Sequence, residues 1–344
     1  MSTYIAGDIG GTNTRLRLFS GGSAATDRSQ TIHREYPSQG FPDLVPIVRE
    51  FLADAPAELA PKAACFAVAG PVTGGRSELT NLDWPPLECD RLQKALDLER
   101  VELINDFAAM SYGAIQLVPD DLCDLQVCEP RTDAPIGVIG AGTGLGQAFL
   151  VPSGSGHVVF PAEGGHAGFA PRNELEDGLL RYLRQRQTHV SAENVISGPG
   201  ILAIYQFLRD RGGEPEAADV AERVRAWEQG QLEPKAVTPL ISLAAKAQSN
   251  ALCELTLETF VGAYASEAGN FALKLLPYGG LYIAGGIAAK NLDLLERYGF
   301  LAALKEKGPM SGVLENVPVR VVLNEDTGLL GAMAWVQRTN LDLK

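Results

Sequence analysis

The stretch Tyr4–Phe19, YIAGDIGGTNTRLRLF, decides the fold. A β-like run enters an aspartate, two glycines, a threonine and an asparagine, and apolar and basic residues then alternate. Three phosphate-binding designs open this way and diverge after the glycines. A dinucleotide-binding fingerprint or a P-loop continues into a helix. Here Leu16 and Leu18 alternate with Arg15 and Arg17 at the two-residue period of a half-exposed strand. Neither G-x-G-x-x-G nor a Lys-Ser/Thr pair is present. A β-hairpin remains, in which Gly7, Gly10 and Gly11 lack a Cβ and can present backbone N–H groups to an anion.

Working outward, AACFAVAGPV (Ala63–Val72) reads as a strand stopped by Gly-Pro, and VELINDFAAMSYGAI (Val101–Ile115) as a strand running into a helix with Asp106 at or near its start. IGVIGAGTGLGQAFLV (Ile136–Val151) is a second strand, glycine turn and strand. Aligning Gly11-Thr12 with Gly142-Thr143 makes it an echo of the first, which suggests a duplicated β-lobe with two hairpins facing each other across a cleft. A loop with Glu163 and His166 precedes an amphipathic helix from about Asn173, and Ser197-Gly198-Pro199-Gly200 opens another helix. Pro239–Leu276 reads as long, apolar and helical with a break near Gly269-Asn270. GGLYIAGGIAAKNL (Gly279–Leu292) is a strand, a third Gly-Gly turn and a helix, and GLLGAMAWVQR (Gly328–Arg338) is a closing amphipathic helix.

Composition narrows the function. A chain of 344 residues favours two lobes over one core. The net charge of −13 argues against nucleic-acid and anionic-membrane partners and requires any phosphate to be held by local groups. No apolar run reaches membrane-spanning length, and Asp8 interrupts a possible signal segment. Five cysteines (Cys65, Cys89, Cys123, Cys128, Cys253) show no paired metal spacing and read as reduced thiols of a cytoplasmic protein.

The ordered set GDIGGTN (Gly7–Asn13), LTNLDW (Leu79–Trp84), INDF (Ile104–Phe107), GAGTGLG (Gly140–Gly146), EGGH (Glu163–His166), SAENVISGPG (Ser191–Gly200), IAGGI (Ile283–Ile287) and GLLGA (Gly328–Ala332) resembles bacterial glucokinases of the non-ROK type. These belong to the actin/hexokinase/sugar-kinase superfamily. The resemblance implies a two-lobed, ribonuclease H-like α/β fold with the active site in the cleft between the lobes. It implies a small domain of residues 1–107 plus 326–344 and a large domain of residues 108–325. It also implies ATP-dependent phosphorylation of glucose at the 6-hydroxyl and a homodimer, while the paired hairpins themselves suggest closure on the sugar. ROK kinases carry a cysteine-rich zinc loop after a similar Glu-x-Gly-His. AGFAPRNELEDG follows His166 here without a cysteine, so no zinc is expected.

Residue by residue, the resemblance assigns Gly7, Asp8, Ile9, Gly10, Gly11, Thr12 and Asn13 to the terminal phosphates, with Asp8 orienting Mg²⁺ through water. Gly142, Thr143 and Gly144 would hold phosphate from the other lobe, and Gly285 and Gly286 would lie against adenosine. Asp106 would be the general base, beside Asn105 on the sugar diol. On residues alone, the Asn105-Asp106 pair reads equally well as a helix cap. Glu163, His166 and Glu193 would bind sugar hydroxyls, and Asn81 is a further candidate. His33, His157 and His189 read as ordinary histidines. Rival readings are a mannose, fructose or amino-sugar kinase, a polyphosphatase, or an actin-like filament or chaperone nucleotide switch. A sugar-responsive repressor would add an N-terminal helix-turn-helix, for which a hairpin starting at Gly7 leaves no room.

Overall fold

The computed structural model describes residues 3–20, 32–56, 59–79, 81–154 and 156–341, with residues 339–341 as backbone. Thr80 of the LTNLDW motif and both ends of the expected small domain lie outside these residues. Two compact units emerge. One comprises Met1–Leu122, Val159–Pro161 and Asn324–Lys344, and the other Cys123–Val158 and Ala162–Leu323.

The first unit is built on a five-stranded sheet. Strands β1 (Thr3–Ile9) and β2 (Asn13–Ser20) form the hairpin, β3 (Ile32–Pro37) pairs with β2, and β4 (Pro61–Val68) lies parallel to β1. Helix α1 (Leu44–Ala53) precedes β4. Short strands β5 (Arg76–Ser77) and β6 (Leu87–Glu88), helix α2 (Cys89–Leu96) and strand β7 (Arg100–Asn105) follow it. The order is β3-β2-β1-β4-β7. Alternation along β1 sends Ile5 and Ile9 to one face, with α1 and α2, while Tyr4 and Ala6 face the other. That second face is covered by α3 (Asp106–Ala114) and the C-terminal helix spanning Thr327–Leu341. These two helices meet where a Cβ on Gly331 would lie 1.7 Å from Ala109 O and one on Gly113 would lie 1.9 Å from Thr327 O. Only glycine permits so close a crossing.

The second unit repeats the plan. Strands β8 (Leu122–Gln126), β9 (Ile136–Ala141), β10 (Leu145–Ser153), β11 (Gly156–Ala162), β12 (Gly280–Ala284) and β13 (Val319–Val322) form a sheet of order β11-β10-β9-β12-β13-β8. As in the first sheet, a hairpin strand pairs antiparallel on one side and parallel on the other. The echo between the two glycine hairpins therefore extends to sheet topology.

Helices α4 (Glu174–Arg184), α5 (Gly198–Arg211), α6 (Ala218–Glu228), α7 (Thr238–Lys246) and α8 (Ala251–Leu275) build the core on this sheet. The expected break at Gly269-Asn270 is absent, because α8 runs through it. The interruption falls earlier, where Asn250 caps α8 by accepting from Cys253 N. Gly269 is a packing glycine instead, since a Cβ there would lie 2.2 Å from Leu304 O. Short helices α9 (Gly286–Lys290), α10 (Leu292–Arg297), α11 (Phe300–Lys305) and α12 (Ser311–Leu314) precede β13, and Thr327–Leu341 is α13. Among the described residues no helix is long and apolar enough to cross a membrane.

Candidate active site

The first hairpin turns through Gly10, Gly11 and Thr12. Gly10 N–H donates to Asn13 O at 3.0 Å. Beneath it lies a fully buried hydroxyl: Ser38 Oγ donates to Gly10 O at 2.7 Å and sits 3.0 Å from Thr14 Oγ1, while Ser38 N–H donates to Thr12 O at 2.8 Å. Asn13 Nδ2 donates to Glu35. Asn81 packs against the turn, since a Cβ on Gly11 would come within 2.8 Å of Asn81 Cβ. Gly7 stands mid-strand, where a Cβ would be 2.5 Å from Phe66 Cδ1, and Ile9 is a core side chain. Packing alone accounts for both residue types.

Asp8 stands next to last in β1, opposite Arg15 and half-buried. Burial raises its carboxyl above the ordinary 3.8; Arg15 draws it back down, while Asp326 and Glu35 push it up. Asp326 accepts from Arg17 Nη2 at 2.7 Å and lies 3.6 Å from Arg15 Nη1, so the acids and arginines here are interleaved.

At the end of β7, Asn105 caps α3. Its Oδ1 accepts from Phe107 N at 2.9 Å and Ala108 N at 3.1 Å. Its Nδ2 donates to Gly70 O at 3.1 Å and to Asp106 Oδ1 at 3.0 Å. Asp106 Oδ1 also accepts from Phe107 N at 2.9 Å. The amide of Asn105 thus both caps the helix and orients the Asp106 carboxylate. The two readings of the pair are compatible.

In the second unit, Glu163, His166 and Glu193 come together. His166 Nε2 lies 3.9 Å from Glu163 Oε2 and its Nδ1 lies 3.9 Å from Glu193 Oε1. Glu163 and His166 are exposed, whereas Glu193 is half-buried. Their loops are stitched by backbone bonds, Glu193 N to Gly165 O at 2.9 Å and Ala192 N to Ala167 O at 2.8 Å. The glycines of Glu-Gly-Gly-His let that loop lie flat on β10. A Cβ on Gly165 would be 2.0 Å from Leu145 O, and one on Gly164 would be 2.0 Å from Gln147 Oε1.

Glu193 also supports the second glycine turn. Its Oε2 accepts from Leu145 N at 2.9 Å and lies 2.5 Å from the position of a Cβ on Gly144. Gly142 N–H donates to Gly144 O, and Gly142 O accepts from Gly198 N at the start of α5, both at 2.8 Å. Ser197, which caps α5, donates to Glu193 O at 2.7 Å. Thr143 is exposed at the tip, and a Cβ on Gly142 would meet nothing within 4 Å. At the third turn, Gly285 has φ +85° and a Cβ there would lie 2.4 Å from Ala141 O, so the fold itself demands glycine. A Cβ on exposed Gly286 would meet only Lys290 Nζ, at 3.9 Å. Gly142 and Gly286 are therefore glycines that the fold does not need.

Sequence reasoning passed over Ser38, Gln147 and Tyr264, all buried polar side chains beneath these loops. Nothing in YPSQGF or FVGAYAS marks them, because their partners are remote in sequence. His189 touches the cluster through its Nε2, 2.8 Å from His166 O. Among the described residues no group of three His, Cys, Asp or Glu is gathered as a metal site.

Comparison with known proteins gives consistent results. The family model for glucokinase matches residues 5–339. A glucokinase of Nostoc punctiforme is 52% identical over 98% of this chain and all of its own length. The crystal structure of a glucokinase from an Antarctic psychrotroph has a TM-score of 0.81 at 32% identity, covering 98% of this chain and 99% of that one. A ROK family glucokinase from Streptomyces griseus, solved with glucose and AMPPNP, shares the fold with a TM-score of 0.64 at 19% identity, covering 98% of this chain and all of that one. The architecture is that of the actin-like sugar kinases.

Proposed function

This chain belongs to the glucokinase family, and on that premise we propose that it is an ATP-dependent glucose kinase whose Asp106 is the general base. The 6-hydroxyl oxygen of glucose attacks the γ-phosphorus, the bond from γ-phosphorus to the β,γ-bridging oxygen breaks, and ADP leaves. Asp106 takes the hydroxyl proton. Support for this role comes from its carboxylate being held at Oδ1 by Asn105 Nδ2 and the Phe107 N–H. A fixed carboxylate loses little freedom on meeting the nucleophile.

The observation that carries the sugar assignment is the convergence of Glu163 and Glu193 on the two ring nitrogens of His166. Two carboxylates that accept and an imidazole that donates on one side and accepts on the other suit a run of sugar hydroxyls. Asn105 and Asn81 complete the assigned set, Asn81 from its seat on the first hairpin. The Gly10–Asn13 and Gly142–Gly144 turns are assigned to the phosphates, with Gly285 and Gly286 at adenosine. Gly142 and Gly286 support this, since the space above them serves no packing purpose. A divalent cation at Asp8 would add to the compensation that Arg15 supplies, since burial, Asp326 and Glu35 disfavour the charged carboxylate there. Held there through water, Mg²⁺ would neutralise charge on the transferring phosphates. By family likeness, and with all five cysteines free, the enzyme works in the cytoplasm as a homodimer.

Steady-state rates with Mg·ATP across glucose, mannose, fructose and glucosamine test this reading. Glucose is expected to have the highest kcat/KM, because a misplaced hydroxyl leaves a protein group unpaired. Preference for another of these sugars would keep the site and change the substrate, and turnover of ATP without any sugar dependence would overturn the proposal.

A further inference from the structure

We propose that Tyr264 is a positioning residue for nucleotide binding, its buried hydroxyl fixing the spacing between the Gly142–Gly144 and Gly285–Gly286 turns. The inference rests on reading those turns as nucleotide contacts.

Tyr264 lies in the apolar helix α8, fully buried. Its ring is packed edge-on to Phe300 at 5.5 Å and tilted against Phe260 at 6.0 Å. For burial alone a phenylalanine would suffice, and a buried hydroxyl needs partners. This one has three, all backbone. It accepts from Ala141 N at 3.3 Å, and its proton is directed at Ile139 O and Ala284 O, each at 3.3 Å. One proton serves both carbonyls, so the hydroxyl bridges the two strands. Burial pushes the phenol well above its ordinary 10, so it remains a donor at any working pH.

The location gives these bonds their consequence. Strands β9 and β12 pair in parallel from Gly280↔Ile136 to Ala284↔Gly140 and then part. From Ala141 the chain enters the second glycine turn, and from Ala284 it enters the third. The turns thus spring from one junction, which is so tight that Gly285 has no room for a side chain against Ala141 O. Tyr264 ties both strands together at the last residues before they diverge. The sugar cluster has anchors of its own at Gly165, Ala167 and Ser197, and its carboxylate meets the second turn beyond the junction, where Glu193 Oε2 accepts from Leu145 N at 2.9 Å.

The test is Tyr264→Phe, which removes one oxygen and keeps the packing. KM for ATP is expected to rise about tenfold, the factor that one buried hydrogen-bonding group supports. KM for glucose is expected to stay within about twofold, a split that general loosening of the core would not produce. An unmoved KM for ATP, or a KM for glucose that rises by the same factor as that for ATP, would overturn the inference. Gly286→Ala, whose methyl the fold accommodates, separates this from the premise. If calorimetric ADP affinity falls in Gly286→Ala while Tyr264→Phe leaves KM for ATP unchanged, Tyr264 alone is misassigned. If Gly286→Ala binds ADP like the wild type, the third turn is not a nucleotide contact and the inference falls with it.

Discussion

The turn at Gly10–Asn13 and the turn at Gly142–Gly144 occupy the same place in two sheets of the same plan, yet different chemistry holds each. Beneath the first is the neutral, fully buried hydroxyl of Ser38, which bonds to Gly10 O and meets Thr14. Beneath the second is the half-buried carboxylate of Glu193, which accepts from Leu145 N with one oxygen and faces His166 with the other. A neutral pin fixes geometry and carries no information about the sugar. A carboxylate shared between the turn and the proposed sugar cluster joins the two through one side chain, Oε2 on Leu145 N and Oε1 facing His166. Charge is placed differently too: in the first unit it stands beside the turn, as Asp8 with Arg15 and Asp326, and in the second it lies under the turn.

The comparison breaks most visibly at Glu193. Glu193→Gln should lower kcat/KM for glucose by roughly 100-fold, the cost of losing a charged hydrogen-bond partner, and should raise KM for ATP as well. A loss confined to glucose would show that the second turn is as independent of the sugar as the first.

Asp8→Asn comes next, with activity falling by roughly tenfold to 100-fold if its carboxylate orients the metal through water. Stability should move the other way. The folded-state pKa of Asp8 lies above its unfolded 3.8. The folded chain therefore retains a proton that the unfolded chain has released, and stability drains away as pH rises from 3.8 through the raised value. Above that window the charged Asp8 is a standing cost, so Asp8→Asn should melt higher at neutral pH and show little difference near pH 3. Calorimetric melts at the two pH values would check this; a lower neutral melting temperature would contradict it.

Ser38→Ala should cost about 1–3 kcal/mol of stability, read from denaturant midpoints, since it strips a buried acceptor of its donor. KM for ATP should rise severalfold, with glucose unaffected, in contrast to Glu193→Gln. The smallest structural effect is expected for Gly142→Ala, where the added methyl meets nothing within 4 Å. Its stability should stay within about 0.5 kcal/mol of wild type, while ADP affinity falls. An unchanged affinity would remove Gly142 from the nucleotide set.

Much of this was legible in the chain because it is local. The hairpin at TRLRLF, the Asn-Asp where β7 meets α3 and the Ser197 cap of α5 are each written within a few residues. Even so, β2 is not the half-exposed strand its alternation suggested, because Arg17 is buried against Asp326. Glu163, His166 and Glu193 were legible only through family resemblance, since residues 30 apart carry no spacing rule. The buried polar side chains under the loops were not legible. Ser38 and Gln147 look like surface residues until the fold buries them, and Tyr264 passes for one more aromatic in an apolar helix. Gly269 misled for the complementary reason. Glycine reads as a helix breaker, but here it admits the Leu304 carbonyl. Tertiary contact overrode propensity in every one of these cases.

The most direct test of the central claim is single-turnover phosphoryl transfer to glucose by Asp106→Asn, with glucose affinity measured alongside. The substitution keeps Oδ1 for Asn105 Nδ2 and the Phe107 N–H, so the start of α3 is preserved. The rate should fall by about 10²–10⁴ with glucose binding largely retained. A rate near that of the wild type would make Asp106 simply the first residue of a helix, and the base would have to be sought elsewhere.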